Sequence, residues 1–157
     1  MINFFLDLAN FLRYKRREKK YSVGFFCESG FIFEYLKPYI SKINTKRKVI
    51  IISFEKIENS ILPTHSCFVF RSNFFRELVF LTLKLNVLYS STPDIENTIF
   101  KRSKLKKKCK YIYLQHSPVS LTMIYREKAF ENFDAIQVIS KFQEAEINEM
   151  KIKDNFN

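Results

Sequence analysis

YSVGFFCESGFIFEYLKPYISKINTKRKVIIIS, residues 21–53, decides the fold. It opens with Tyr21–Cys27, a short apolar run of aromatic and β-branched character that reads as a buried strand. Glu28-Ser29-Gly30 then leads into FIFEYLKPYISKI, a helical pattern kinked or interrupted at Pro38. Val49-Ile50-Ile51-Ile52 follows as a second strand. A buried strand, a polar turn, a helix and a second buried strand make the repeating unit of a parallel sheet.

The same alternation continues downstream. Cys67–Phe70 is a further strand candidate, and Asn73 is placed to cap a long apolar helix from Phe74 to Leu85. Val87–Ser90 reads as a short strand, Tyr111–Leu114 as another and Ala135–Ile139 as the last. A helix is expected near Arg126–Phe133 and a final one over Lys141–Lys151. The fold class is therefore α/β, a Rossmann-like parallel sheet with helices on both faces. Ligands of such sheets bind outside the carboxyl ends of the strands. Three polar loops fall there: Glu28-Ser29-Gly30, Ser91-Thr92-Pro93-Asp94 and Gln115-His116-Ser117-Pro118.

Composition narrows the alternatives. The chain has 157 residues, 46% of them hydrophobic, which is too apolar for a disordered basic tail. One core is expected at this length, not two full domains. Gly24 and Gly30 are the only glycines, which argues against an all-β fold and excludes a glycine-rich nucleotide loop. Cys27, Cys67 and Cys109 show no paired spacing and read as buried thiols of a reducing compartment. With His65 and His116 the only histidines, neither a metal nor any other cofactor is expected. His65 falls in an expected surface loop, Leu62-Pro63-Thr64-His65, and reads as structural or solvated.

Lys and Arg number 27 against 16 Asp and Glu, a formal charge of +11. Two clusters hold much of it: Arg13–Lys20, and Lys101, Arg102, Lys104, Lys106, Lys107, Lys108 and Lys110. No helix-turn-helix, zinc-finger or aromatic-strand signature accompanies them, so a specific nucleic-acid partner is not expected. The first cluster follows MINFFLDLANFL, the reverse of a signal peptide, and that apolar run is too short to span a bilayer. On a helical wheel Asn3, Asp7, Asn10 and Tyr14 form one narrow polar stripe on an otherwise apolar surface. Two readings stay open: a helix lying on an anionic membrane surface, or a helix packed on its own domain with a solvated basic linker behind it.

His116 follows an apolar strand directly, and Pro118 restricts the loop that carries it. An imidazole held at the mouth of the sheet beside Ser117 and Ser120 suits proton abstraction from a hydroxyl, because it titrates near neutrality. The plainer reading is a histidine that caps a helix or bonds a nearby carbonyl. Asp94 and Asp134 read as residues that cap or turn the chain.

Taken together, STPDIENTIFKRSK (Ser91–Lys104), YIYLQHSPVS (Tyr111–Ser120) and MIYREKAFENFDAIQVIS (Met123–Ser140) resemble the CDP-glycerol glycerophosphotransferase family, which builds teichoic-acid and related polyol-phosphate or capsular polymers. The likeness covers about Tyr21 to Met150; the family more often has His-Gly-Thr-Pro where this chain has His116-Ser117-Pro118. It implies the N-terminal, acceptor-side half of a two-domain GT-B architecture, with His116 as the general base that deprotonates the acceptor's hydroxyl. Ser117, Ser120, Lys101, Arg102, Arg126, Ser29, Gly30 and Thr92 are the implied acceptor- and phosphate-binding residues. The partners implied are CDP-glycerol or a related nucleotide donor, held by a missing or separate C-terminal half, and a lipid-linked polyol-phosphate or polysaccharide acceptor. An anionic membrane surface completes them, placing the protein in the cytoplasm, peripheral on the inner face of the cell membrane. The chain then divides into an amphipathic helix and basic linker (1–20), a Rossmann-like acceptor-side domain (21–152) and a tail or truncated interdomain linker (153–157). Two alternatives remain beside this one. One is half of a GT-B nucleotide-sugar glycosyltransferase; the other is a non-catalytic fragment or binding module.

Overall fold

A computed structural model describes residues 2–44, 46–58, 66–105 and 108–154. His65, Lys106, Lys107 and the end of the expected tail, residues 155–157, lie outside the described residues. Among the described residues six strands form one sheet: β1 (Val23–Cys27), β2 (Val49–Ser53), β3 (Cys67–Val69), β4 (Val87–Ser90), β5 (Lys110–Leu114) and β6 (Ala135–Gln137). Five α-helices accompany them there: α1 (Ile2–Arg17), α2 (Gly30–Asn44), α3 (Asn73–Leu81), α4 (Leu121–Ile124) and α5 (Lys141–Asp154). The strand order is β3-β2-β1-β4-β5-β6, and all five pairings are parallel. This is the Rossmann order, whose direction of winding reverses between β1 and β4.

Strand periodicity divides the core. Phe26, Ile50, Ile52, Leu88, Tyr111 and Tyr113 point to one face, where α1, α3, α5 and the segments after β4 and β5 pack. Val23, Phe25, Cys27, Val49, Ile51 and Leu114 point to the other, under Phe33, Leu36 and Ile40 of α2. Phenylalanine fills the first layer: the rings of Phe26, Phe80 and Phe100 meet pairwise at 4.8–5.1 Å. At these separations aromatic pairs add attraction to the area they bury.

Close packing also explains Gly24. A Cβ there would lie 2.4 Å from Leu85 Cδ1, 3.1 Å from Leu88 Cδ1 and 3.3 Å from Ile50 Cγ2, all in side chains with no exposed surface. Gly24→Ala is expected to destabilise the chain by about 1–2 kcal/mol, the cost of overpacking less the gain in backbone stiffness. Urea denaturation reads it; an unchanged midpoint would show that Leu85 has room to move.

Several boundaries differ from expectation. The helix placed over Phe74–Leu85 begins at Asn73 with Ser72 as its N-cap, not Asn73, and stops at Leu81. Thr82 Oγ1 donates to Leu78 O there at 2.7 Å, and Leu83 and Leu85 are buried beyond the helix end. No helix covers 126–133; the chain turns there, with Lys128 at φ 62°, and the helix lies earlier, as the four residues of α4. The basic linker is helical as well: α1 runs to Arg17 and a 3-10 turn holds Glu18–Lys20. Lys153 and Asp154 belong to α5, not to a tail.

The polar stripe of α1 faces inward except at Asn3, which is exposed. Asp7 is fully buried, and its Oδ2 accepts the backbone N–H groups of Arg71 (2.9 Å) and Ser72 (2.6 Å) just ahead of α3. Asn10 Nδ2 donates to Val69 O at 3.0 Å, and Tyr14 packs edge-on against Phe68. The helix therefore packs on its own domain, through the residues that a bilayer-bound helix was expected to turn toward water.

Candidate functional site

Parallel register brings the three polar loops to one edge. Phe26 pairs with Ser90 and Ser90 with Tyr113, so the segments after β1, β4 and β5 leave the sheet side by side. The reversal of winding opens a crevice between the first two. Thr92 Oγ1 donates across it to Glu28 Oε2 at 3.2 Å. Beneath these residues lies a cavity of about 180 Å³, lined by Phe26, Glu28, Phe54, Arg76, Thr92 and Phe100 among others.

Ser29 and Gly30 start α2. The Ser29 hydroxyl accepts the Ile32 N–H at 3.4 Å, while space is open around Gly30 where a Cβ would stand. One turn further along α2, Tyr35 places its ring 5.3 Å from the His116 imidazole. Because β4 separates β1 from β5, that contact spans the carboxyl end of β4. His116 is half-buried and its Nδ1 has no hydrogen-bond partner. Desolvation lowers its pKa from the ordinary histidine value, because burial penalises the charged form. The lowered pKa favours the neutral imidazole, which is chemically a proton acceptor, although Nδ1 itself is buried.

The loop that carries His116 is held by Gln115 and by two residues that the sequence reading did not single out, Gln143 and Glu146. Gln115 is buried; its Oε1 accepts the Tyr113 hydroxyl at 2.9 Å and its Nε2 donates to Ser117 O at 2.8 Å. From α5, Gln143 Nε2 donates to Ser117 O and to Val119 O, each at 2.9 Å. Glu146, one turn on, accepts the Ser120 hydroxyl at 2.5 Å, the Leu121 N–H at 2.9 Å and the Thr122 hydroxyl at 3.1 Å. Gln143 and Glu146 are spaced for one helix face (i, i+3) and are polar where an inner face is apolar. That pattern was the available signal.

The implied binding residues separate into two groups. Ser117, Ser29, Gly30 and Thr92 share the carboxyl edge with His116. Ser120 is near by, but its hydroxyl caps α4 and donates to Glu146. Arg102 is on the opposite edge: it donates to Asn132 O, Cys109 O and Asp134 Oδ2 and stacks 4.6 Å over the Tyr111 ring. Asp134 also accepts the Tyr111 N–H at 2.7 Å, so this pair joins the starts of β5 and β6 and leaves phosphate recognition to others. Lys101 donates to Glu96 O at 2.6 Å. Arg126 pairs with Asp94, which is no helix cap but a turn residue at φ 63°, and the two tie the β4 loop to the β5 loop. Arg76 is the guanidinium that does line the edge cavity; it rests 4.4 Å over Phe54 and donates to Phe70 O.

Among the described residues no three His, Cys, Asp or Glu side chains converge as metal ligands. No described helix is long and apolar enough to cross a membrane. Fold and site together define an α/β protein with Rossmann strand order and a polar, histidine-bearing carboxyl edge. No protein-family model matches the chain, and neither a curated protein nor a solved structure does.

Proposed function

We propose that the chain is the acceptor-side half of a CDP-glycerol glycerophosphotransferase-like enzyme, working on a lipid-linked polymer acceptor at the inner face of the cell membrane. The observation that carries this reading is the half-buried His116 at the carboxyl edge, its pKa lowered by burial, one strand over from the β1/β4 crevice. It supports the role that the resemblance assigns to the same residue.

The reaction follows from that role. A terminal hydroxyl of the acceptor enters the crevice and loses its proton to the His116 imidazole. The oxygen attacks the phosphorus that bears glycerol, a new P–O bond forms, and the bond to CMP breaks with CMP keeping the electron pair. The nucleotide is bound by a second Rossmann-like half, on the same chain or another, and its cations neutralise the phosphates, the larger share of catalysis in phosphoryl transfer. This side supplies position and the base.

His116 is one of two histidines, so imidazole NMR resolves it cleanly. Titration of the chain with a short glycerol-phosphate oligomer is expected to shift the His116 resonances and leave those of His65 in place. Movement of neither, or of His65 alone, would take the acceptor away from this edge. With a donor-binding half and CDP-glycerol supplied, His116→Ala is expected to lower transfer by about 10²–10⁴-fold, the usual contribution of a general base. The acid limb of the rate profile is expected below the ordinary histidine pKa of about 6.5, because burial keeps His116 neutral there. An unchanged rate in the variant would remove His116 from the mechanism, and transfer from a nucleotide sugar alone would favour the glycosyltransferase alternative.

A further inference from the structure

A surface helix normally buries its apolar face and wets its polar one. α1 departs from this. Beside Phe11 and Tyr14 it turns Asp7 and Asn10 to the domain, as the turn after it does Glu18, while Phe5, Leu8 and Leu12 stand in solvent, Phe5 62% and Leu12 51% exposed. The exposed patch continues onto α3: Phe4 lies 6.4 Å from the ring of Phe74, itself 60% exposed. Isolated exposed apolar residues are ordinary, but a contiguous patch of three phenylalanines and several leucines marks an interaction surface.

Charge identifies the occupant. Asp7 and Glu18 are the only carboxylates between residues 1 and 20, and both are buried. The outward surface of this segment is thus apolar and cationic apart from the uncharged Asn3, and it carries no exposed carboxylate. Ala9, Leu12, Arg13, Arg16 and Arg17 line one shallow depression of about 430 Å³, and Lys19 and Lys20 lie exposed just beyond. Two such surfaces placed together would oppose like charges, and an ordinary protein groove would have to answer every cation individually. A bilayer with anionic headgroups matches both features at once: acyl chains for the rings and leucines, phosphates for the guanidinium and ammonium groups.

We propose that the outer face of α1, with Phe74 of α3, is the docking surface of this protein for an anionic bilayer, and that the buried polar stripe fixes how the domain sits on it. This deepens the peripheral location assigned above and rests on that reading for its biological setting. The geometry differs from that of a free amphipathic helix. Asp7 and Asn10 bolt α1 to the backbone of residues 69–72, so the helix and the sheet approach the membrane as one body.

Cosedimentation with vesicles tests it. The full chain is expected to sediment with vesicles of phosphatidylglycerol and phosphatidylcholine, and to stay in solution with phosphatidylcholine alone. Phe5→Glu/Leu12→Glu is expected to weaken binding to the anionic vesicles at least tenfold, with unchanged circular dichroism and melting temperature because neither side chain is buried. Arg16→Glu/Lys20→Glu tests the charge separately and is expected to have the same effect. Undiminished binding by both variants would overturn the proposal. So would a wild-type dimer in light scattering that Phe5→Glu/Leu12→Glu dissociates without any vesicle binding, since a second copy would then be the occupant. The vesicles hold neither acceptor nor donor, so this result and that of the transferase tests are independent.

Discussion

Glu146→Ala is expected to destabilise the chain by about 2–4 kcal/mol, since hydrogen bonds to a charged group contribute about 1.5–3 kcal/mol and an orphaned buried donor costs more. The carboxylate is the common acceptor for Ser120 Oγ, Leu121 N and Thr122 Oγ1, and Leu121 has no exposed surface from which its N–H might find water instead. Those three residues open α4 and close the loop that begins at His116. Faster amide exchange across residues 117–122 is therefore expected along with the lower urea midpoint. pH provides a second reading. Burial acts against ionisation of Glu146, but the hydrogen bonds from Ser120, Leu121 and Thr122 outweigh it and lower its pKa. A depressed folded pKa gives stability that is present above the unfolded value and lost as pH falls through the folded one. The difference between wild type and Glu146→Gln should thus shrink below about pH 4. A difference that persists undiminished would assign it to packing and not to charge.

Asp7→Ala is expected to have a comparable cost, about 2–4 kcal/mol, on the same accounting of charged hydrogen bonds. Its carboxylate accepts two N–H groups at the N-terminus of α3, where the helix dipole favours negative charge and the Ser72 side chain supplies no cap. The loss should be local in its consequences. With Asp7 gone, α1 is tied by Asn10, by the packing of Phe11 and Tyr14, and by Arg13 and Lys15, which donate to Cys67 O and Thr82 O. Trypsin is then expected to cut within Arg13–Lys20 before the sheet unfolds. Asp7→Asn keeps one acceptor oxygen without the charge and should fall between the two. Wild-type resistance to trypsin in Asp7→Ala would mean that the aromatic contacts alone seat the helix.

The sheet was legible because a parallel strand covered on both sides must be continuously apolar. Phe25-Phe26 and Ile50-Ile51-Ile52 can hardly be anything else. Helix ends were less so. Thr82–Leu85 is as apolar as the helix before it, and only the three-dimensional core shows that Leu83 and Leu85 are buried as coil. Residues 126–133 carry a helical composition, but Lys128 sits at positive φ and Arg126 turns to Asp94, 32 residues earlier (126 − 94). The direction of α1 was hidden for the same reason. Asp7 finds its partners 64 and 65 residues away, and no local pattern encodes them. In the site, His116, Ser29, Gly30 and Thr92 could be placed at one edge from strand ends alone. Arg102 could not, because a cation's position in the chain does not say that Asp134 and three carbonyl or ring partners lie at the other edge.

The sheet also governs how the chain comes together in time. Among the described residues every strand pair is parallel, so each pairing must wait for a crossover to close. The centre closes late: Val23 of β1 meets Val87 of β4 across 64 residues (87 − 23). Non-local closure of this kind slows folding and leaves apolar strands exposed while it proceeds. During synthesis β1, with Phe25 and Phe26, emerges well before its second neighbour exists. A net charge of +11 opposes association of nascent copies through that interval, a task the cations perform whatever the folded protein binds.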